Sequence, residues 1–186
     1  MQSDSEKGGY EMTRKKIALI VVVLIAIGVG ISAIWWAGGG EGPALPSAGV
    51  YINPPSLEAE PGEEITINVE VKPGERGVSG AQIYLEYDSS ALEVTALEPG
   101  SFLGSTPTVG FKEISNDDGI LGYAMARVGE TSVPSPPGLL AIVTLNVLDS
   151  APDGEYPLTI SYVSLADEDI ERIEELEIHH GAVEVK

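Results

Sequence analysis

Ile65-Thr66-Ile67-Asn68-Val69-Glu70-Val71 sets an apolar residue at every second position. Successive side chains of a strand point to opposite faces, so this run predicts a strand with one face in a core and one in water. Ala81-Gln82-Ile83-Tyr84-Leu85-Glu86-Tyr87 repeats the pattern. Residues 139–147 are richer in apolar side chains, as a more buried strand would be, and Val183-Glu184-Val185 closes the chain. Pro61-Gly62, Pro73-Gly74, Pro99-Gly100, Asp118-Gly119, Pro137-Gly138 and Asp153-Gly154 punctuate these runs. Such dipeptides favour turns. Short strands at that spacing predict an all-β sandwich. Only residues 170–176 offer a helical turn, and their glutamates suit a surface excursion equally well.

Upstream the periodicity vanishes. Residues 17–36 read IALIVVVLIAIGVGISAIWW, with no charge. A helix of that length, rising ~1.5 Å per residue, spans ~30 Å, the thickness of a bilayer's hydrocarbon. Trp35 and Trp36 fall where an interfacial aromatic belt belongs, and Arg14, Lys15 and Lys16 precede the run. Basic flanks stay on the cytoplasmic side. The expectation is a single-pass plasma-membrane anchor, with residues 1–16 cytoplasmic and the C-terminal domain extracytoplasmic. A cleaved signal peptide would have an apolar region of roughly 7–15 residues and a small-residue cleavage site; this run is longer and no clean site follows. A pilin-type leader lacks its usual Gly-Glu context. Gly28 and Ser32 give a small-xxx-small spacing, too weak a signal to predict a helix dimer. Met12 is an alternative start. Residues 37–49, AGGGEGPALPSAG, form a Gly/Pro tether reaching at most ~45 Å.

The 186 residues hold 10 basic and 29 acidic groups. Residues 1–16 carry four and three of these, leaving six basic and 26 acidic from residue 37 onward. Such a surface repels nucleic acid and anionic lipid headgroups. The chain has no cysteine, which excludes disulfides, thiolate metal sites and a Cys nucleophile. His179 and His180 are the two histidines; neighbours in a strand face opposite ways and cannot share one metal. No nucleophile-elbow motif occurs. Asn116-Asp117-Asp118-Gly119 reads as a hairpin turn, and neither it nor Asp167-Glu168-Asp169 has EF-hand spacing. No cofactor and no catalytic site are expected.

Several stretches fall in a telling order: Val50-Tyr51-Ile52; Pro61-Gly62-Glu63 before residues 65–71; residues 80–87 running into Tyr87-Asp88-Ser89-Ser90-Ala91-Leu92-Glu93-Val94; residues 119–127 and 139–147; Asp153-Gly154-Glu155-Tyr156; Leu165-Ala166-Asp167-Glu168-Asp169-Ile170; and Gly181-Ala182-Val183-Glu184-Val185. In this order residues 50–186 resemble a cohesin module, the receptor half of the cohesin–dockerin pair of cellulosomes. The resemblance implies a nine-stranded jelly-roll β-sandwich, here preceded by one transmembrane helix. It implies a non-catalytic module that docks a dockerin through one flat sheet face built from the third, fifth, sixth and eighth strands, with calcium belonging to the dockerin. Alternation then points Gly80, Gln82, Tyr84 and Glu86 outward and Ile83, Leu85 and Tyr87 inward. It likewise buries Tyr123 and Met125, leaving Gly122, Ala124 and Ala126 as an outward row of small residues open to a partner helix. Glu168, Ile170 and Arg172 match family positions that contact the dockerin, Ile170 as the apolar anchor, and Arg127 is a further partner-binding candidate. Departures are Gly80 and Gln82, where the best-known cohesins carry Asn and Asp, and Arg127 and Arg172, near positions that are acidic there. The expected partner is therefore a dockerin other than the usual cellulosomal ones, bound by a monomeric ectodomain.

Two other functions compete. A carbohydrate-binding module, serving polysaccharide catabolism, would show a row of exposed aromatics; aromatics are scarce here, many fall at inward positions, and Tyr84 alone is too little. A surface-layer or pilus-like domain would self-associate.

Overall fold

In a computed structural model that describes residues 47–74, 76–129 and 136–186, the alternation of residues 65–71 becomes one strand of a sandwich. Eleven strands occur among the described residues: β1 (Ala48–Asn53), β2 (Ser56–Ala59), β3 (Glu64–Lys72), β4 (Gly80–Glu86), β5 (Leu92–Pro99), β6 (Thr108–Ser115), β7 (Ile120–Ala126), β8 (Gly138–Val147), β9 (Gly154–Ala166), β10 (Leu176–His179) and β11 (Gly181–Val185). They form a five-stranded sheet, β10-β1-β3-β8-β5, and a six-stranded sheet, β2-β11-β9-β4-β7-β6. In β3, Ile65, Ile67, Val69 and Val71 are buried, and the residues between them are not. In β4, Ile83 and Leu85 are buried while Gln82, Tyr84 and Glu86 face out. The facing inner sides make one core, with Ile67, Ile83, Leu85, Leu121, Tyr123, Leu140 and Leu145 among its fully buried side chains. A side chain of that size contributes about 1.5–3 kcal/mol when it leaves water.

The sandwich is all-β as expected, but it has eleven strands, not nine. β2 and β10 are short strands that the sequence reading did not name. Each is four residues long and lies at a sheet edge, β2 parallel to β11 and β10 parallel to β1. A four-residue edge strand buries too little to leave a periodic signature in sequence. Residues 170–176 contain no helical turn; Ala166 bridges to Arg172 and the chain continues irregularly into β10. The membrane-span expectation for residues 17–36, the cytoplasmic segment 1–16 and nearly all of the tether 37–49 lie outside the described residues. Among the described residues no helix is long and apolar enough to cross a membrane.

Two polar clamps close the open side of the sandwich. Lys112 on β6 donates from Nζ to the carbonyl of Leu97 on β5, 2.7 Å away. Asn116, in the β6–β7 turn, accepts at Oδ1 from the Tyr87 hydroxyl (2.6 Å) and the Val94 amide (2.9 Å), and donates from Nδ2 to the Val94 carbonyl (3.1 Å). The turn itself is the one read from Asn116-Asp117-Asp118-Gly119. Gly119 takes a φ of 65°, and a Cβ there would sit 2.1 Å from the Tyr87 carbonyl oxygen, so only glycine fits.

Candidate functional site

Strands β9, β4, β7 and β6 are consecutive in the six-stranded sheet and share one outer face. Register sets its rows. Tyr162, Tyr84, Gly122 and Glu113 align across the four strands. Ser164, Gln82, Ala124 and Phe111 form the next row, then Ala166, Gly80, Ala126 and Thr108. Beyond the last row the chain leaves β9 into the loop that carries Glu168 and Ile170. The sheet thus gathers Gly80, Gln82, Tyr84, Gly122 and Ala124 on one surface, with the loop at one end and Glu86 at the other.

The middle of this face differs from the expected row of small residues. Gly122 lies on the outward side but is buried, because two rings fold over it. A Cβ on Gly122 would come within 2.7 Å of the Phe111 ring and 2.8 Å of the Tyr84 ring. Tyr84 meets Phe111 with ring centroids 5.6 Å apart and Tyr162 at 6.0 Å, tilted by 40° and 72°. Tyr84 is therefore not alone. Phe111 and Tyr162 escaped sequence reading because their strands do not alternate cleanly. β6 slips its register between Val109 and Phe111, and β9 pairs Tyr162 and Ile160 with adjacent β4 residues. A slip of one residue flips every side chain beyond it. Burial pushes the Tyr84 hydroxyl above its ordinary pKa, and the Glu113 carboxylate adds to the rise. The open, small-residue shelf survives only at the loop end: Gly80, Ala126 and Ala166 lie together, a Cβ on Gly80 meeting the other two at 4.0 and 3.9 Å.

Arg127 is half-buried just past β7, and its amide donates to the Ser79 carbonyl at 2.9 Å. Arg172 and Glu168 are exposed, and Ile170 is 83% exposed. Asp167, in contrast, is buried, its carboxylate turned into the loop rather than toward solvent. The two histidines diverge as predicted. His179 stacks on Tyr51 with centroids 4.7 Å apart, while His180 Nδ1 accepts from the Ile160 amide at 3.1 Å. Among the described residues no three His, Asp or Glu side chains converge on a metal-sized site.

Comparison with known proteins follows the geometry. A type I cohesin–dockerin complex from Clostridium thermocellum matches with a TM-score of 0.63 and 20% identity, covering 76% of this chain and 100% of that one. The sixth cohesin of scaffoldin B from Acetivibrio cellulolyticus, solved with a dockerin, matches with a TM-score of 0.63 and 21% identity, covering 76% and 100%. A non-cellulosomal cohesin from the archaeon Archaeoglobus fulgidus gives a TM-score of 0.62 and 18% identity, covering 76% and 92%. At these identities the likeness is one of fold. No curated protein sequence matches the chain. The family model of the cohesin domain matches residues 50–185, nearly the whole described sandwich, and the chain therefore belongs to the cohesin domain family.

Proposed function

We propose that this chain is a non-catalytic docking receptor that grips a dockerin module through the outer face of β9-β4-β7-β6. The observation that carries the reading is the face itself. It sets an apolar centre of Tyr84, Phe111 and Tyr162 beside a low shelf of Gly80, Ala126 and Ala166, with the apolar Ile170 standing at its rim. An aromatic centre with a polar margin is the anatomy of a protein-binding patch. The low shelf lets a helix backbone approach closely. Structural neighbours of the fold include cohesin–dockerin complexes. The tilts of 40° and 72° within the aromatic cluster argue against a sugar-stacking platform, which needs coplanar exposed rings.

Residues 17–36 serve as the membrane anchor in this reading, supported by their length, lack of charge and basic flank. The domain acts as a monomer outside the plasma membrane. Calcium is expected on the dockerin. Gln82, Arg127 and Arg172 give the face a hydrogen-bonding and charge pattern unlike the best-known cohesins. The usual cellulosomal dockerins would then leave charges and polar groups unpaired.

Titration calorimetry of the chain against a panel of dockerin modules, with calcium and then with chelator, tests this. The expected result is tight one-to-one binding to at least one dockerin, abolished by chelation, and weak binding to standard cellulosomal dockerins. Absence of binding across the panel would overturn the docking role.

A further inference from the structure

Among the described residues, Ile170 is the non-glycine with a positive φ, 66°. A β-branched side chain in the left-handed region is sterically disfavoured. Ile170 recovers nothing by packing, since it is 83% exposed. Backbone strain and an apolar side chain held in water fall on the same residue. Such a residue persists only where its surroundings over-determine it.

The surroundings are built around Asp167, the buried charged residue of the described chain at 5% exposure. Its Oδ1 accepts from the amides of Asp169 (3.0 Å) and Glu171 (2.9 Å), the residues on either side of Ile170. Its Oδ2 faces Arg76 Nη1 at 3.3 Å. The Asp167 amide donates to the Glu171 carbonyl at 2.9 Å, and the Ile170 amide donates to the Asp167 carbonyl at 3.2 Å. That same carbonyl accepts from the Ser79 hydroxyl. A buried carboxylate is tolerable when its oxygens are engaged in charge-assisted bonds, and here each bond also restrains the loop. The segment 167–171 is thereby closed on itself and tied to the residues just before β4.

We infer that Asp167, backed by Arg76 and Ser79, is a positioning residue that holds Ile170 out as a preformed apolar anchor for the dockerin. The inference rests on the docking role proposed above. Fixing the loop before binding removes the ordering cost that a flexible anchor would incur.

The test combines thermal melts with binding isotherms for the full chain in mild detergent, against the dockerin that binds the wild type. Ile170→Gly is expected to raise Tm by about 2–4 °C, because glycine accepts the left-handed backbone. The same variant is expected to weaken binding about tenfold or more, as loss of an apolar anchor does. Gain of stability with loss of affinity is a pairing that a purely structural residue does not give. Asp167→Asn is expected to reduce affinity on its own and to add nothing once Ile170 is glycine. Independent effects that multiply in the double variant would overturn the positioning role. Wild-type binding that Ile170→Gly leaves within about twofold would overturn this inference while leaving the docking role intact. If the wild type binds no dockerin, the docking role fails and this inference fails with it.

Discussion

Oδ1 and Nδ2 of Asn116 both reach the backbone of Val94, and Oδ1 also takes the Tyr87 hydroxyl. One side chain therefore ties the β6–β7 turn to the start of β5 and to the end of β4. Removing a part-buried group that serves several partners forfeits several bonds at once. Asn116→Ala is expected to destabilise the fold by about 1–3 kcal/mol, read as a lower denaturant midpoint at unchanged slope. At this scale the sequence was informative about backbone and silent about partners. Asn116-Asp117-Asp118-Gly119 read correctly as a turn, since Asp-Gly has a local conformational preference. That Asn116 is a cross-sheet clamp depends on Val94, which lies 22 residues away. His180 is a similar case, its Nδ1 accepting from the Ile160 amide 20 residues away.

Strands β4 and β7 were legible element by element, because their alternation is unbroken and each has one face in the core. The inward and outward assignments of Ile83, Tyr84, Leu85, Tyr123 and Met125 follow from period two alone. The face as a whole was less legible. Its outer row at Gly122 was expected to be open, and it is covered by Tyr84 and Phe111. Gly122→Ala distinguishes the two pictures. An open row would tolerate alanine as it tolerates Ala124. With Cβ 2.7 Å from one ring and 2.8 Å from the other, both rings must instead swing away. The expected outcome is a folded protein, destabilised by about 1–3 kcal/mol as in other overpacked sites, with altered near-ultraviolet circular dichroism and dockerin affinity reduced about tenfold. A variant indistinguishable from wild type in both measurements would restore the open-row picture. The missed strands β2, β6 and β10 share a cause with the missed aromatics: edge pairing and register slips are decided between segments, not within them.

For the whole molecule, burial makes Tyr51, Tyr84, Tyr87 and Tyr123 respond alike to alkali. The hydroxyls of Tyr51, Tyr84, Tyr87 and Tyr123 are all raised above the ordinary value of 10.0, with burial the largest cause in each. A raised folded pKa means the native state holds its proton longer than the unfolded chain does. The stability this represents is complete below pH 10.0 and is lost as pH climbs from there through the folded values. From neutral pH up to that point Tm should stay level, and above it Tm should fall, with tyrosinate absorbance lagging behind that of the unfolded chain. The full complement of tyrosinate appearing at its ordinary pH, before Tm declines, would contradict the burial of these groups. Several properties were determined by sequence alone. Alternation dictated β structure and the two faces of β3, β4 and β7, the Gly-containing dipeptides marked turns, and the ordered motifs led to the cohesin family. These are local consequences of side-chain period and backbone preference, written wherever a strand buries one face. Only the tertiary structure decided which strands lie side by side, which rings close over Gly122, and that Arg76 and Ser79 back the loop of Asp167. Those depend on pairing and register between segments far apart in the chain, and period two carries no information about either.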